Sequence, residues 1–141
     1  MERGYLTEGP VKQDQIAKLI ENAGTRTGSG GHSVFLGQVR ADTVDGKTVT
    51  AIEYSAYEGM VNAEADKIRE TIFAEYNDVT SVDIVHSTGL VRAGELSLVV
   101  LVSAGHRQQA IEACARTVDL IKEKLPVWKK ELFDDNSHNW K

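Results

Sequence analysis

Glu95-Leu96-Ser97-Leu98-Val99-Val100-Leu101-Val102-Ser103 is the stretch on which the fold turns. Neighbouring side chains of a strand point to opposite faces, so the unbroken apolar run Leu98 to Val102 leaves neither face for water. The spacing therefore predicts a central strand covered on both sides. Immediately upstream, Ser81 to His86 reads as another strand, with Gly89 to Gly94 as the turn between the two. Glu58 to Tyr76 carries Val61, Ala65, Ile68, Ile72 and Tyr76 at three-and-four spacing, which predicts a long helix closed by Asn77-Asp78. Further back, Lys47 to Ala56 (Val49, Ile52, Tyr54) and Ser33 to Arg40 alternate as strands, and Asp45-Gly46 between them is a hairpin signal. Residues 11 to 23 suit a short helix with Val11, Ile16, Leu19 and Ile20 toward one side and Gly24 as its stop. Helix, hairpin, helix, two strands and helix in that order imply an α+β fold with an antiparallel or mixed sheet and helices packed on it.

The totals narrow the function. With 141 residues, 41% of them hydrophobic, the chain 1–141 is expected to form one domain. A net charge of −5 and an isoelectric point near 5.4 argue against nucleic acid or an anionic membrane as the main partner, yet leave room for a local basic pocket. The lone cysteine, Cys114, excludes a disulfide framework and falls on an apolar stripe, in keeping with a cytoplasmic protein. No run approaches a membrane span, and the histidines lack metal-ligand spacing.

Chemistry concentrates after the central strand. Leu120-Ile-Lys-Glu-Lys-Leu-Pro-Val-Trp-Lys-Lys-Glu131 gathers four lysines around one proline in an acidic chain. Pro126 cannot continue a helix and pushes Leu125 toward extended geometry, so the last helix is expected to end near Lys124. Its apolar stripe runs Ile111, Cys114, Val118, Ile121 and Leu125. At roughly 100° per residue, Lys122 falls about 60° from the centre of that stripe and Lys124 about 100° away. Lys124 is solvated on this reading. Lys122 either snorkels outward or stands at a pocket rim, where desolvation and nearby cations would lower its pKa. A basic last turn also simply complements the helix dipole. At the other end of this helix, Ser103-Ala-Gly-His106-Arg107 offers Ser103 as a cap and a first turn whose amides, with His106 and Arg107, suit an anion. Arg40 should emerge at the end of its strand.

Phe35-Leu-Gly-Gln38-Val39-Arg40, Glu53-Tyr-Ser-Ala-Tyr57 with Met60, Gly89-Leu90, Gly94-Glu95, His106-Arg107, Leu120-Ile-Lys122 and Pro126-Val-Trp-Lys129-Lys130-Glu131 occur in the order of one family. Over roughly residues 33 to 132 the chain resembles the large, catalytic subunit of molybdopterin synthase. The resemblance implies an α/β-hammerhead-like fold and a sulfurtransferase of molybdenum cofactor biosynthesis. Such an enzyme takes sulfur from the C-terminal Gly-Gly thiocarboxylate of a small ubiquitin-like carrier and places it on cyclic pyranopterin monophosphate, forming the dithiolene of molybdopterin. It also implies a homodimer within a heterotetramer, one carrier at each end. Carried over by position, Lys122 and Lys129 are catalytic, and Gln38, Val39, Arg40, His106, Arg107, Lys130 and Glu131 join them in holding the substrate. In the family the pocket is completed across the dimer, so His106 and Arg107 are expected to serve the neighbouring subunit. This chain departs from the family at Gln38, at Ala41-Asp42-Thr43, at Ser87 and in a short tail. The alternatives are a module that docks the carrier without turnover, and a phosphometabolite-binding protein with no carrier.

Overall fold

Leu98 to Val102 are buried, Val99, Val100 and Val102 completely, as the unbroken apolar run requires. A computed structural model describes residues 4–141. In chain order its elements are β1 (Leu6–Glu8), α1 (Gln13–Ala23), β2 (Gly31–Gln38), β3 (Thr43–Val44), β4 (Lys47–Ala56), α2 (Glu58–Glu75), β5 (Val79–Arg92), β6 (Leu96–Ala104), α3 (Arg107–Lys124), β7 (Val127–Phe133) and β8 (His138–Trp140). The sheet runs β2-β6-β5-β4-β7-β8, with β1 parallel to β5 and the short β3 antiparallel to β4. The α+β expectation holds. β6 lies inside the sheet, between β2 and β5 and antiparallel to both.

Periodicity accounts for the main core. Val82 and Ile84 of β5 and Val100 and Val102 of β6 share one face, and α2 lays Val61, Ala65, Ile68 and Ile72 on it. Alongside, α3 buries Ala110, Ala113, Cys114, Val118 and Ile121 in the same cluster. A second, smaller core joins Val39, Val49, Ile52, Tyr54, Val91 and Phe133 under the other half of the sheet. Two apolar residues expected to face inward do not: Ile20 is 47% exposed and Ile111 58%.

The expected hairpin between Ser33–Arg40 and Lys47–Ala56 is not formed. Asp45 (φ 52°) and Gly46 (φ 78°) do reverse the chain as the primed turn demands, but only Thr43 and Val44 pair back onto β4. The chain then folds on itself, the Asp42 N–H donating to the Arg40 carbonyl at 2.9 Å, and β2 takes β6 as its partner along its whole length. A turn signal fixes the reversal, not how far the pairing continues. This leaves β2 as a sheet margin on which Val34 and Leu36 are exposed. The turn expected over Gly89 to Gly94 also shrinks: β5 continues to Arg92, and the turn is carried by Ala93 and Gly94 (φ 91°).

Ile72 is fully enclosed between α2 and the sheet, so Ile72→Ala should lower the unfolding free energy by about 2–5 kcal/mol, measured by urea titration. A loss under about 0.5 kcal/mol, the level of a surface change, would mean that this helix face is not packed as described.

Candidate functional site

α3 ends where proline dictates. The Leu125 N–H still donates to the Ile121 carbonyl at 3.0 Å, but Leu125 itself is extended (φ −71°, ψ 123°), and the chain leaves Pro126 as β7 rather than as loop. β7 pairs with β4, setting Lys129 opposite Tyr54, Lys130 opposite Glu53 and Glu131 opposite Ile52. Because alternate strand residues share a face, Lys129 and Glu131 turn to one side and Trp128 and Lys130 to the other. On the first side lies a cleft of about 350 Å³, within the usual range for a small-molecule site. Lys122 reaches it from the last turn of α3, Gln38 and Arg40 from the end of β2, and His86 from β5.

The lysine that loses water is Lys129, not Lys122. Lys122 is exposed, whereas Lys129 is partly enclosed, and burial, then the charges of Lys122 and Lys141, hold its amine below the ordinary lysine range. Strand register does what the helical wheel was expected to do. Arg40 is exposed and grips Asp42, Nε to Oδ1 at 2.7 Å and Nη2 to Oδ2 at 3.4 Å. Glu131, buried to 6% exposure, faces the Lys141 ammonium at 3.6 Å, and the Lys141 N–H donates to the Lys129 carbonyl at 2.9 Å. Val39 borders the cleft mainly as support: its side chain is in the smaller core, and its N–H and C=O are taken by Glu95 and Gly94. Lys130 lies outside the cleft on the opposite face, 3.2 Å from Glu53 and over the ring of Trp140.

His106 and Arg107 are also elsewhere. Arg107 opens α3 and Lys122 nearly closes it, which separates them by about 22 Å along the helix axis. Nor is the start of α3 an open anion site. The Asp78 carboxylate already sits there, accepting the His106 N–H at 2.7 Å and lying 3.1 Å from its Nδ1. Ser103 does not cap the helix; it is fully buried, with its Oγ 2.6 Å from His32 Nδ1. Among the described residues, no group of His, Cys, Asp and Glu is arranged to hold a metal, and no helix is long and apolar enough to cross a membrane.

Sequence reasoning passed over His86, Ser97 and Lys141, all of which line the cleft. The sequence reads Ser81 to His86 as a strand and so places His86 at its end; what marks the residue, lying three positions before β5 takes up β4 at Gly89, is a matter of strand pairing. Alternation of Val127, Lys129, Glu131 and Phe133 against Trp128 and Lys130 could have revealed β7.

Lowering of the Lys129 pKa carries a stability consequence. Between that lowered value and about 10.4 the unfolded chain binds a proton that the folded chain releases, so stability rises with pH there and the penalty is fully present below. Lys129→Met should therefore unfold at higher urea than the parent at neutral pH, and its advantage should shrink in alkali. A variant less stable at neutral pH would contradict this burial penalty.

A family model described as MoaE protein matches residues 6–124. The molybdopterin synthase catalytic subunit of Dictyostelium discoideum is 43% identical over 115 residues, which span 80% of this chain and 72% of that protein. That of Drosophila melanogaster is 34% identical over 142 aligned positions, all of this chain but 37% of the fly protein, so the chain spans little more than a third of such relatives. Among solved structures, molybdopterin synthase from Staphylococcus aureus superposes with a TM-score of 0.86 at 27% identity, covering 100% of this chain and 98% of that one. In sequence across residues 6–124 and in fold across its length, the chain belongs to the MoaE family of molybdopterin synthase catalytic subunits.

Proposed function

We propose that this chain is the catalytic, sulfur-transferring subunit of a molybdopterin synthase. It takes sulfur from the thiocarboxylated Gly-Gly end of a small ubiquitin-like carrier and delivers it to cyclic pyranopterin monophosphate. The observation that carries this reading is the meeting of Lys122 and Lys129, from a helix end and a strand, over one cleft, with only one of them enclosed. Two amines in different surroundings suit two tasks. Lys122, exposed, draws in an anionic tail or phosphate; Lys129, whose partly enclosed amine gives up its proton more readily than an ordinary lysine, exchanges protons as sulfur moves. Gln38 and Arg40 stand at the mouth to hold the substrate, with Glu131 behind Lys129. Lys130 is occupied with Glu53 and Trp140 on the other face, and its work is to hold the sheet margin.

His106 and Arg107 complete the cleft of a second protomer in a homodimer, each protomer docking one carrier. Two features support this: the length of α3 between Arg107 and Lys122, and the exposed Val34 and Leu36 on the sheet margin.

Reconstitution with thiocarboxylated carrier and the cyclic pterin tests the activity. Lys129→Arg keeps a cation but not an accessible neutral amine, and should make product at least about a hundredfold more slowly while still binding carrier. Lys122→Arg should lose less. The reverse ranking would return the proton step to Lys122, and carrier binding without product in the parent protein would leave a docking module. The shared cleft has its own test: Arg107→Ala and Lys129→Ala protomers, each inactive alone, should on random mixing recover roughly a quarter of parental activity, since half the dimers hold one intact site. No recovery from mixed dimers of confirmed composition would place all these residues in one protomer's site.

A further inference from the structure

His86 is the base of the cleft that no cation engages. Asp42 is held by Arg40, and Glu131 faces Lys141. His86 is 6% exposed, with Nδ1 2.8 Å from the Ser87 carbonyl oxygen. A carbonyl only accepts, so Nδ1 carries the hydrogen and donates it, which leaves a lone pair on Nε2 of the neutral ring. Nε2 has no hydrogen-bond partner among the described residues. It is not sealed in either, for the enclosed unpartnered atoms are Asn62 Oδ1, Ser81 Oγ and Ser87 Oγ. It therefore opens on the cleft that His86 lines. Tyr54 flanks the ring edge-on with centroids 5.2 Å apart, and the His86 backbone N–H donates to the Tyr5 carbonyl at 2.7 Å, tying down the strand that carries it. Tyr54 is the direct cross-strand neighbour of Lys129, so His86, Tyr54 and Lys129 form one wall.

We propose that His86 is the positioning residue of Lys129: in the loaded cleft its Nε2 accepts a hydrogen bond from Lys129 Nζ and so aims the rest of that amine at the substrate. This assignment rests on the sulfur-transfer reading. Nothing is transferred to His86; it contributes a fixed lone pair. The groups facing it are Lys129 and Glu131 from β7, Lys122 from α3, Tyr54 from β4, Arg40 and Asp42 beyond β2, and Lys141. Its strand neighbours across β1 and β6, Leu6 and Leu98, do not titrate. A protonated His86 would lose the lone pair and add charge to a cationic wall. Burial foremost, with Lys129 adding to it against the Ser87 hydrogen bond, keeps the ring's pKa below the usual 6.5, so it is neutral at neutral pH. Turnover should then fall as pH drops through that lowered value.

The test uses the reconstituted synthase with His86→Asn and His86→Gln. Asparagine can keep the N–H to the Ser87 carbonyl but has nothing at the Nε2 position; glutamine reaches there with an amide that does not titrate. The expected result is that His86→Asn keeps its melting temperature and carrier affinity but loses kcat by about ten- to a hundredfold, that His86→Gln recovers part of it, and that neither shows the acid limb. In the parent protein loaded with carrier, NMR of the Lys129 side chain should register the titration of His86, and this inflection should vanish in both variants. His86→Asn turning over within about twofold of the parent, acid limb intact, would overturn the proposal. So would equal losses in both variants that track falling melting temperatures, or a Lys129 signal blind to His86. A parent protein that shows the NMR coupling yet makes no product would overturn the sulfur-transfer reading and leave the His86–Lys129 contact standing.

Discussion

Fourteen consecutive residues of β5 must all find backbone partners, and the strand does this by changing neighbours partway along. As far as His86 it pairs with β6; β1 lies beside His86 to Thr88, and from Gly89 onward the partner is β4. Gly89 makes the change with φ +78°, a conformation side-chain-bearing residues resist. The two cores lie on either side of this seam. The cleft lies beside it, lined by the end of α3, the start of β7, His86 and Tyr54. His86 lies just before the change and Tyr54 directly across from Gly89, which explains why buried polar groups meet at this point.

That position has an energetic cost, and the surrounding residues limit it. Several cations ring the cleft, and its two carboxylates, on Asp42 and Glu131, are each drawn to one of them. What remains is Lys129, whose amine loses hydration beside Lys122 and Lys141. A sequence optimised only for stability would place an apolar residue there, as Val127 and Phe133 are placed on the same face of β7.

Much of this was legible in the residues, wherever the information was local. The apolar run of β6, the stripe of α2 and the break at Pro126 each state their own geometry, and the motif segments from Phe35 to Glu131 carried the family. What escaped depended on distant partners. Asp45-Gly46 announced a turn but could not say that β2 would leave β4 for β6. The helical wheel placed Lys122 near an apolar stripe, but register against Tyr54 decides that Lys129 is the enclosed amine. Asp78 is remote in sequence from His106, and nothing near it signals that its carboxylate would occupy the start of α3.

The margin formed by β2 reaches beyond the single molecule. Among the described residues no strand pairs with its outer backbone groups, and Val34 and Leu36 stand exposed along it. A strand in that condition is a template on which any extended segment can add, including the same strand of another copy in an unproductive register. An uncovered margin of this kind limits how concentrated the protein can be kept before strands add to it unproductively.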